Sequence, residues 1–319
     1  MKKIMVNGAV GQIGSELVFR LREMYGAENV IAFGRKTEPS KKLLESGPFD
    51  RIDVSEPDKF MEKIDYYNIG QVYHMAAILS GGGEQNPQLA FKVNVHGVYN
   101  LLEIARAKNL EKINIPSSIA VFGPETPKDN TPNETVLRPT SMYGVTKVSC
   151  ELLCNYYFQK YGIDVRGLRF PGILSDETLP GGGTTDYAVE IFYEAIKTGK
   201  YECFLSEGQT LPMMYMPDAL RSMIELMEAP VEKLKYHADY NVAACSFSPK
   251  ELENELRKHV PNLEVTYKPD FREAIASSWP NSIDDSAARE DWGWNHEYGL
   301  EKMTAVMYEN LKKRLTPDA

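Results

Sequence analysis

Short apolar runs alternate with stretches of helical periodicity from the N-terminus to Pro171, and that alternation limits the fold more than any other feature of the chain. KIMVNG, NVIAFG, FDRIDV, QVYHMAA, KINIPSS and DVRGLRFPG read as strands. Gln12–Tyr25, a segment from Pro57, 87–108 and Met142–Tyr161 read as the helices among them. Strands joined by helical crossovers lie parallel, and a parallel sheet is covered by helices on both faces. The expected fold is α/β, a doubly wound parallel sheet. After Pro171 the alternation loosens. Helices near 184–198, 217–228, 249–259 and 300–313, separated by short strand-like pieces, suggest a smaller α/β lobe. The division is expected at 1–173 and 174–319, with some later segments returning to the main sheet.

Composition narrows the partners. With 36 basic and 45 acidic side chains the formal charge is −9, and no basic block interrupts it, which argues against nucleic acid. No apolar run approaches the roughly 20 residues of a membrane-spanning helix. MKKIMVNGAVGQIG turns into glycines and a polar helix, so it reads as a strand and not as an export signal. Cys150, Cys154, Cys203 and Cys245 are scattered without ligand partners at metal spacing; they read as packing residues in a reducing, cytoplasmic compartment, and no metal site is expected.

GAVGQIG sets Gly8, Gly11 and Gly14 between the first strand and the first helix. The first glycine permits a tight turn, the second a close approach of backbone to a pyrophosphate, and the third close packing of helix on strand, with the helix N-terminus towards the anion. A lone glycine triplet is weak evidence, but its place in a strand–turn–helix at the start of an alternating chain makes it a Rossmann-type dinucleotide site, with Gln12 and Ile13 in the same turn. The residue after the second strand should read the ribose: an acid for NAD, a base for the 2′-phosphate of NADP. Here Gly34-Arg35-Lys36 stands there. Arg35 reads equally as a phosphate reader or as a solvated loop residue. Asp53 and Val54 close the third strand, where an adenine would lie, and Met75, Ala76 and Ala77 close the fourth, where small side chains leave room for a cofactor.

SMYGVTK places Tyr143 and Lys147 four apart on one helix face. Phenols are poor bases at neutral pH, and a neighbouring ammonium favours the phenolate. Taken alone the pair reads more readily as a surface tyrosine with a solvated lysine than as a catalytic pair, but Ser117 and Ser118 end the preceding strand, where a hydroxyl could bond the reacting oxygen. With the glycine turn, the strand-end serine and Tyr-x-x-x-Lys in this order, the chain resembles the extended short-chain dehydrogenase/reductases, also called the NAD-dependent epimerase/dehydratase family, over nearly its whole length. The resemblance implies a cofactor across the strand ends, Ser118, Tyr143 and Lys147 as the catalytic group, Asn94 as the family's structural asparagine beside the cofactor, Pro171 and Ile173 along the cofactor, and a homodimer through the helices 87–108 and Met142–Tyr161.

Nucleotide-sugar members of the family carry an arginine two residues after a Gln-Thr-like pair to clamp a diphosphate. In EGQTLPMMYMPDA, Leu211 and Pro212 stand there, and leucine cannot neutralise a diphosphate. LPGGGTTDYAVEIFY, MMYMPDA and SWPNSIDDSAAREDWGW instead resemble the short-chain-type L-threonine 3-dehydrogenases. That resemblance implies oxidation of L-threonine at C3 with NAD to L-2-amino-3-oxobutanoate, on the way to glycine or aminoacetone. It makes the glycine run a hinged loop over the amino acid. It also sets Ser80, Thr184 and Thr185 at the substrate with Ser118 and Tyr143, and Trp279 against the substrate methyl. NAD is the cofactor this implies; Gly34 in place of the usual acid keeps NADP as the alternative. Two other functions fit the motifs less well: a nucleotide-sugar epimerase or reductase, and a non-catalytic NAD(P)-binding regulator.

Overall fold

The computed structural model describes residues 2–179, 181 and 183–316. Two compact units share the chain. The first is built from Met1–Val121, Ser141–Arg169 and Leu220–Tyr240, the second from Phe122–Thr140, Phe170–Ala219 and Asn241–Ala319. The sequence suggests a cut after residue 173 with some later segments returning to the main sheet; in the structure 220–240 belongs to the first unit, and 122–140 joins the second.

The first unit centres on a six-stranded parallel sheet: β1 (Lys3–Asn7), β2 (Val30–Gly34), β3 (Phe49–Arg51), β4 (Ile69–His74), β5 (Lys112–Asn114) and β6 (Val165–Arg166), in the order β3-β2-β1-β4-β5-β6. The order reverses direction at β1, so the crevice beyond its C-terminal end, beside β4, is where such sheets bind ligands. Side chains alternate along β1: Met5 joins the core under helices α2 (Pro57–Tyr67), α3 (Gly97–Lys108) and α4 (Met142–Tyr161), while Ile4 and Val6 face the other side. Helix α1 (Gln12–Tyr25) buries Leu17, Val18 and Leu21. The helices α1 and α4 keep the bounds expected from their periodicity.

Two expected elements are subtler than the pattern suggested. The helix 87–108 runs through Pro87–Ala90, a π-helical turn at Phe91–His96, and α3. DVRGLRFPG is not one strand: it breaks into Val165–Arg166, Leu168–Phe170 and Gly172–Leu174. The break sits at Gly167, where an added Cβ would lie 2.5 Å from the Ile115 carbonyl oxygen and 2.6 Å from that of Ala238. Gly167 donates its N–H to His237 and accepts from Tyr240, so it leaves the main sheet after β6.

In the second unit, Gly172–Leu174 pairs parallel with Leu211–Tyr215, which pairs antiparallel with Cys245–Phe247; Lys200–Cys203 pairs with Glu264–Tyr267. Helices Tyr187–Lys197, Pro249–Leu256 and Leu300–Leu315 pack together. The segment 122–140 anchors 277–284: the Lys128 ammonium donates to the carbonyls of Ser277 (2.6 Å) and Trp279 (2.9 Å), and Thr131 bridges to Ile283.

Candidate functional site

At the C-terminal end of the parallel sheet the three glycines do what their spacing demands. Gly8 has φ +75°, and a Cβ there would lie 2.6 Å from the Met75 carbonyl carbon. Gly14 passes so close to the Gly8 carbonyl that a Cβ would stand 2.9 Å from its carbon. Gly11 is the N-cap of α1 and offers no side-chain cap, so the first N–H groups of that helix are open to an anion. The side-chain amide nitrogen of Gln12, Nε2, is buried without a hydrogen-bond partner. These features fit a dinucleotide pyrophosphate.

The turn opens into a groove of roughly 250 Å³. Of the expected cofactor residues, Gly8, Gly11, Gly34, Arg35, Asp53, Val54, Met75, Ala76 and Ala77 line it. Gln12, Ile13 and Gly14 form the first turn of α1. Pro171 and Ile173 belong to the second unit, Ile173 being paired with Met214. Asn7, Val10, Thr37, Ile52, Ile78 and Val93 also line the groove and escaped the sequence reading, although Asn7 and Thr37 lie next to strand ends the pattern had singled out. Arg35 is exposed and faces Asp53, with Nη1 3.6 Å from Oδ2. Burial raises the Asp53 carboxyl, but hydrogen bonds from Ser55 and the charges of Arg35 and Lys92 outweigh it and hold it below the usual carboxylate range.

Behind the groove, Asn7 accepts the Ala76 N–H on Oδ1 (3.3 Å), which turns its amide nitrogen to donate to Nδ1 of His74 (2.8 Å). The His74 proton is thereby assigned to Nε2. Burial, and then the charge of Lys147, push this imidazole down to about 3, so it stays neutral.

Ser118, Tyr143 and Lys147 all belong to the first unit. Ser141 caps α4 by accepting the Gly144 N–H (3.1 Å), which fixes the first turn that carries Tyr143. The buried Lys147 ammonium lies 5.5 Å from the Tyr143 ring centre and donates to the Pro116 carbonyl (2.5 Å). Ser118 follows Pro116 by two residues, and its Oγ accepts the Ala120 N–H (3.2 Å). Beneath it Ser117 donates to Glu151 (2.5 Å), and Glu151 takes both arms of Arg169 at 2.9 and 2.8 Å. Arg169 is thus a structural partner under the strand end. The short helix Ser80–Gln85, with Ser80 buried at its start, packs on Tyr143, and Glu84 accepts the Met142 N–H (2.7 Å).

Asn94 sits in the π-helical turn. Its side chain accepts the Ile78 N–H (2.7 Å) and donates to the Ile78 carbonyl and to Thr146, whose hydroxyl in turn bonds the Tyr143 carbonyl (2.7 Å). It ties the fourth strand's exit to the helix that carries Tyr143. Cys150 donates to the Asn94 carbonyl and, with Cys154, is packed in the core. Thr184, Thr185 and Trp279 lie in the second unit; Thr184 and Trp279 are buried and Thr185 packs on Gly172. Leu211 and Pro212 are buried in their strand and offer nothing to a diphosphate.

Comparison with known proteins agrees with this geometry. Residues 4–243 match the model of the NAD dependent epimerase/dehydratase family. A Staphylococcus aureus (strain USA300) protein, named an uncharacterized epimerase/dehydratase, is 45% identical over 99% of this chain and 98% of its own. The L-threonine dehydrogenase of Clostridium difficile superimposes with TM-score 0.96 at 47% identity, covering 98% of each chain. The GalE-like L-threonine dehydrogenase of Cupriavidus necator, in its holo form, gives 0.94 at 47% identity over 97% of this chain and 100% of that one. With its glycine turn, its Ser118–Tyr143–Lys147 group and these matches, the chain belongs to the NAD-dependent epimerase/dehydratase family.

Proposed function

We propose that the protein is an NAD-dependent L-threonine 3-dehydrogenase, converting L-threonine and NAD⁺ to L-2-amino-3-oxobutanoate, NADH and H⁺. The observation that carries this reading is the likeness, over nearly the full length of both chains, to proteins of that activity. The buried Leu211 and Pro212, where sugar-nucleotide enzymes clamp a diphosphate, support it against the epimerase alternative.

NAD, when bound, would supply the hydride acceptor for C3 of the substrate. Tyr143 takes the proton of the 3-hydroxyl. Lys147, held by the Pro116 carbonyl beside the Tyr143 ring, supplies the positive charge that favours the phenolate and holds the nicotinamide ribose. Ser118 orients the hydroxyl and then the forming carbonyl. Ser80, Thr184 and Thr185 contribute small hydroxyls for the ammonium and carboxylate, and Trp279 packs against the methyl.

An absorbance assay with threonine, offering NAD⁺ and NADP⁺ separately and UDP-glucose as the rival substrate, tests the reading. Threonine-dependent reduction of NAD⁺ is expected; turnover of the sugar nucleotide with none of threonine would defeat it. Replacement of Tyr143 by Phe should leave NAD⁺ affinity near that of the parent and lower kcat by about 10²- to 10⁴-fold.

We further infer a homodimer. Phe91, Tyr99, Val145, Leu152, Tyr156 and Tyr161 are large apolar or aromatic side chains exposed along the π-helical turn, α3 and α4. One similar L-threonine 3-dehydrogenase is described as monomeric, so light scattering of the purified protein is the deciding measurement.

A further inference from the structure

Tyr143 and Lys147 are fixed to each other by the helix that carries both, whereas Ser118 comes from a separate strand end. Two bonds made by α4 set where that strand end lies. Lys147 holds the Pro116 carbonyl (2.5 Å). One helical turn further on, Glu151 accepts the Ser117 hydroxyl (2.5 Å). The helix therefore grips the two consecutive residues that lead into Ser118. Glu151 is itself held. It is 3% exposed, and Arg169, 2% exposed, donates to both of its oxygens at 2.9 and 2.8 Å. Asp239 lies 3.9 Å from the Arg169 guanidinium and accepts from Asn155 of α4 (3.2 Å). A buried carboxylate engaged in this way by a two-pronged guanidinium is a fixed anchor for the serine hydroxyl.

We propose that Ser117 and Glu151 are positioning residues for Ser118: the bond between them fixes the strand end so that the Ser118 hydroxyl is presented to the reacting oxygen. Successive residues of a strand point to opposite faces. Ser117 and Ser118 follow that rule, the first buried and the second half-buried. Tethering Ser117 to Glu151 on one face directs Ser118 to the other. There the Ser118 oxygen accepts the Ala120 N–H, which leaves its proton for the reacting oxygen. Without the tether the Ser117–Ser118 pair is free to rotate, and Ser118 loses its fixed place relative to Tyr143. Ser117 and Glu151 touch no substrate in this scheme and act only through Ser118. The inference rests on the role given to Ser118 in the proposed reaction.

The rate of the first turnover, read as NADH absorbance after rapid mixing of the full-length protein with NAD⁺ and threonine, isolates this effect from product release. It is compared in the parent, Ser117→Ala, Ser118→Ala and the double variant, with NAD⁺ affinity measured by calorimetry in each. Ser118→Ala should slow the step by about 10²-fold, as the loss of one donor to a developing oxyanion does. Ser117→Ala should slow it by about tenfold through misplacement, with NAD⁺ affinity within about twofold of the parent. In the Ser118→Ala background the same substitution should cost less than about twofold, because nothing remains to be positioned. A residue that only supports the fold slows both backgrounds alike, so equal factors would overturn the proposal. Glu151→Asp keeps a charge for Arg169 but draws the carboxylate back from Ser117, and it should show the same dependence on Ser118. Ser117→Cys, which fills the same space with a weaker donor, repeats the cycle with the same outcomes should the alanine variant fold poorly. A Ser117→Ala variant as fast as the parent, beside a slow Ser118→Ala, sinks this inference alone. A parent that reduces no NAD⁺ with threonine, or a Ser118→Ala variant as fast as the parent, sinks the proposed reaction or its serine and this inference with it.

Discussion

Two stretches of this chain are equally rich in glycine and are built on different principles. In GAVGQIG, glycine is required by backbone: Gly8 is in the left-handed region, and a Cβ on Gly8 or Gly14 would run into main-chain atoms of Met75, Ala76 or Gly8 itself. In LPGGGTTDYA, a Cβ on Gly183 would meet the carboxylate of Asp186 at 2.9 Å, the far end of a side chain that can swing away. There the turn is made by that carboxylate, which accepts the Gly183 N–H at 2.6 Å. Pro180 and Gly182 of the same run lie outside the described residues. Glycine content alone therefore does not distinguish a glycine locked against main-chain atoms from one whose nearest crowding atoms belong to a side chain.

The difference can be broken most forcefully at Gly14. Gly14→Val must push helix α1 off the Gly8 carbonyl, and overpacking of this kind costs about 1–3 kcal/mol or more. Dinucleotide affinity should fall about 100-fold, or the first unit should lose its cooperative melting. Gly183→Ala should leave that affinity within about twofold. Comparable losses at the two positions, in calorimetric titrations with NAD⁺, would erase the distinction.

A gentler change targets the tether. Asp186→Ala removes the acceptor for the Gly183 N–H, a charge-assisted bond whose loss costs about 1.5–3 kcal/mol when the donor is left unpaired. If the run closes over the substrate, kcat and KM for threonine should shift together, lowering kcat/KM by about tenfold while NAD⁺ affinity holds. The opposite pattern, weakened NAD⁺ with normal threonine kinetics, would make this run a phosphate cradle.

The smallest effect is in acid. The first loop rests on Asn7, which is bonded to a His74 imidazole whose folded pKa is lowered from 6.5 to about 3. Between those values the unfolded chain binds a proton that the folded chain refuses. Stability is therefore fully present above about 6.5, is lost as pH falls through the window, and levels off below about 3. The loss attributable to this group between pH 7 and pH 5.5 is about 1 kcal/mol. Urea unfolding of the parent and of His74→Gln at the two pH values should show a shallower pH slope in the variant; equal slopes would remove His74 from the account. No comparable histidine supports the Gly183 turn among the described residues in contact with it.

Much was readable in the chain because it is written locally. Helices α1 and α4 follow from helical periodicity, the glycine turn from its place between a strand and a helix, and the Tyr143–Lys147 pair from four-residue spacing on one helix face. What folding alone decided joins residues far apart in sequence. Arg35 looks free until β3 brings Asp53 alongside it. DVRGLRFPG looks like one strand until Ile115 and Ala238 crowd Gly167. The segment 122–140 looks like a plain loop until Lys128 holds the carbonyls around Trp279. Periodicity and propensity report how a residue meets its near neighbours along the chain. An ion pair, a close backbone approach or a carbonyl held across 151 residues depends on which distant segments the packing brings together, and a single sequence carries no local sign of that.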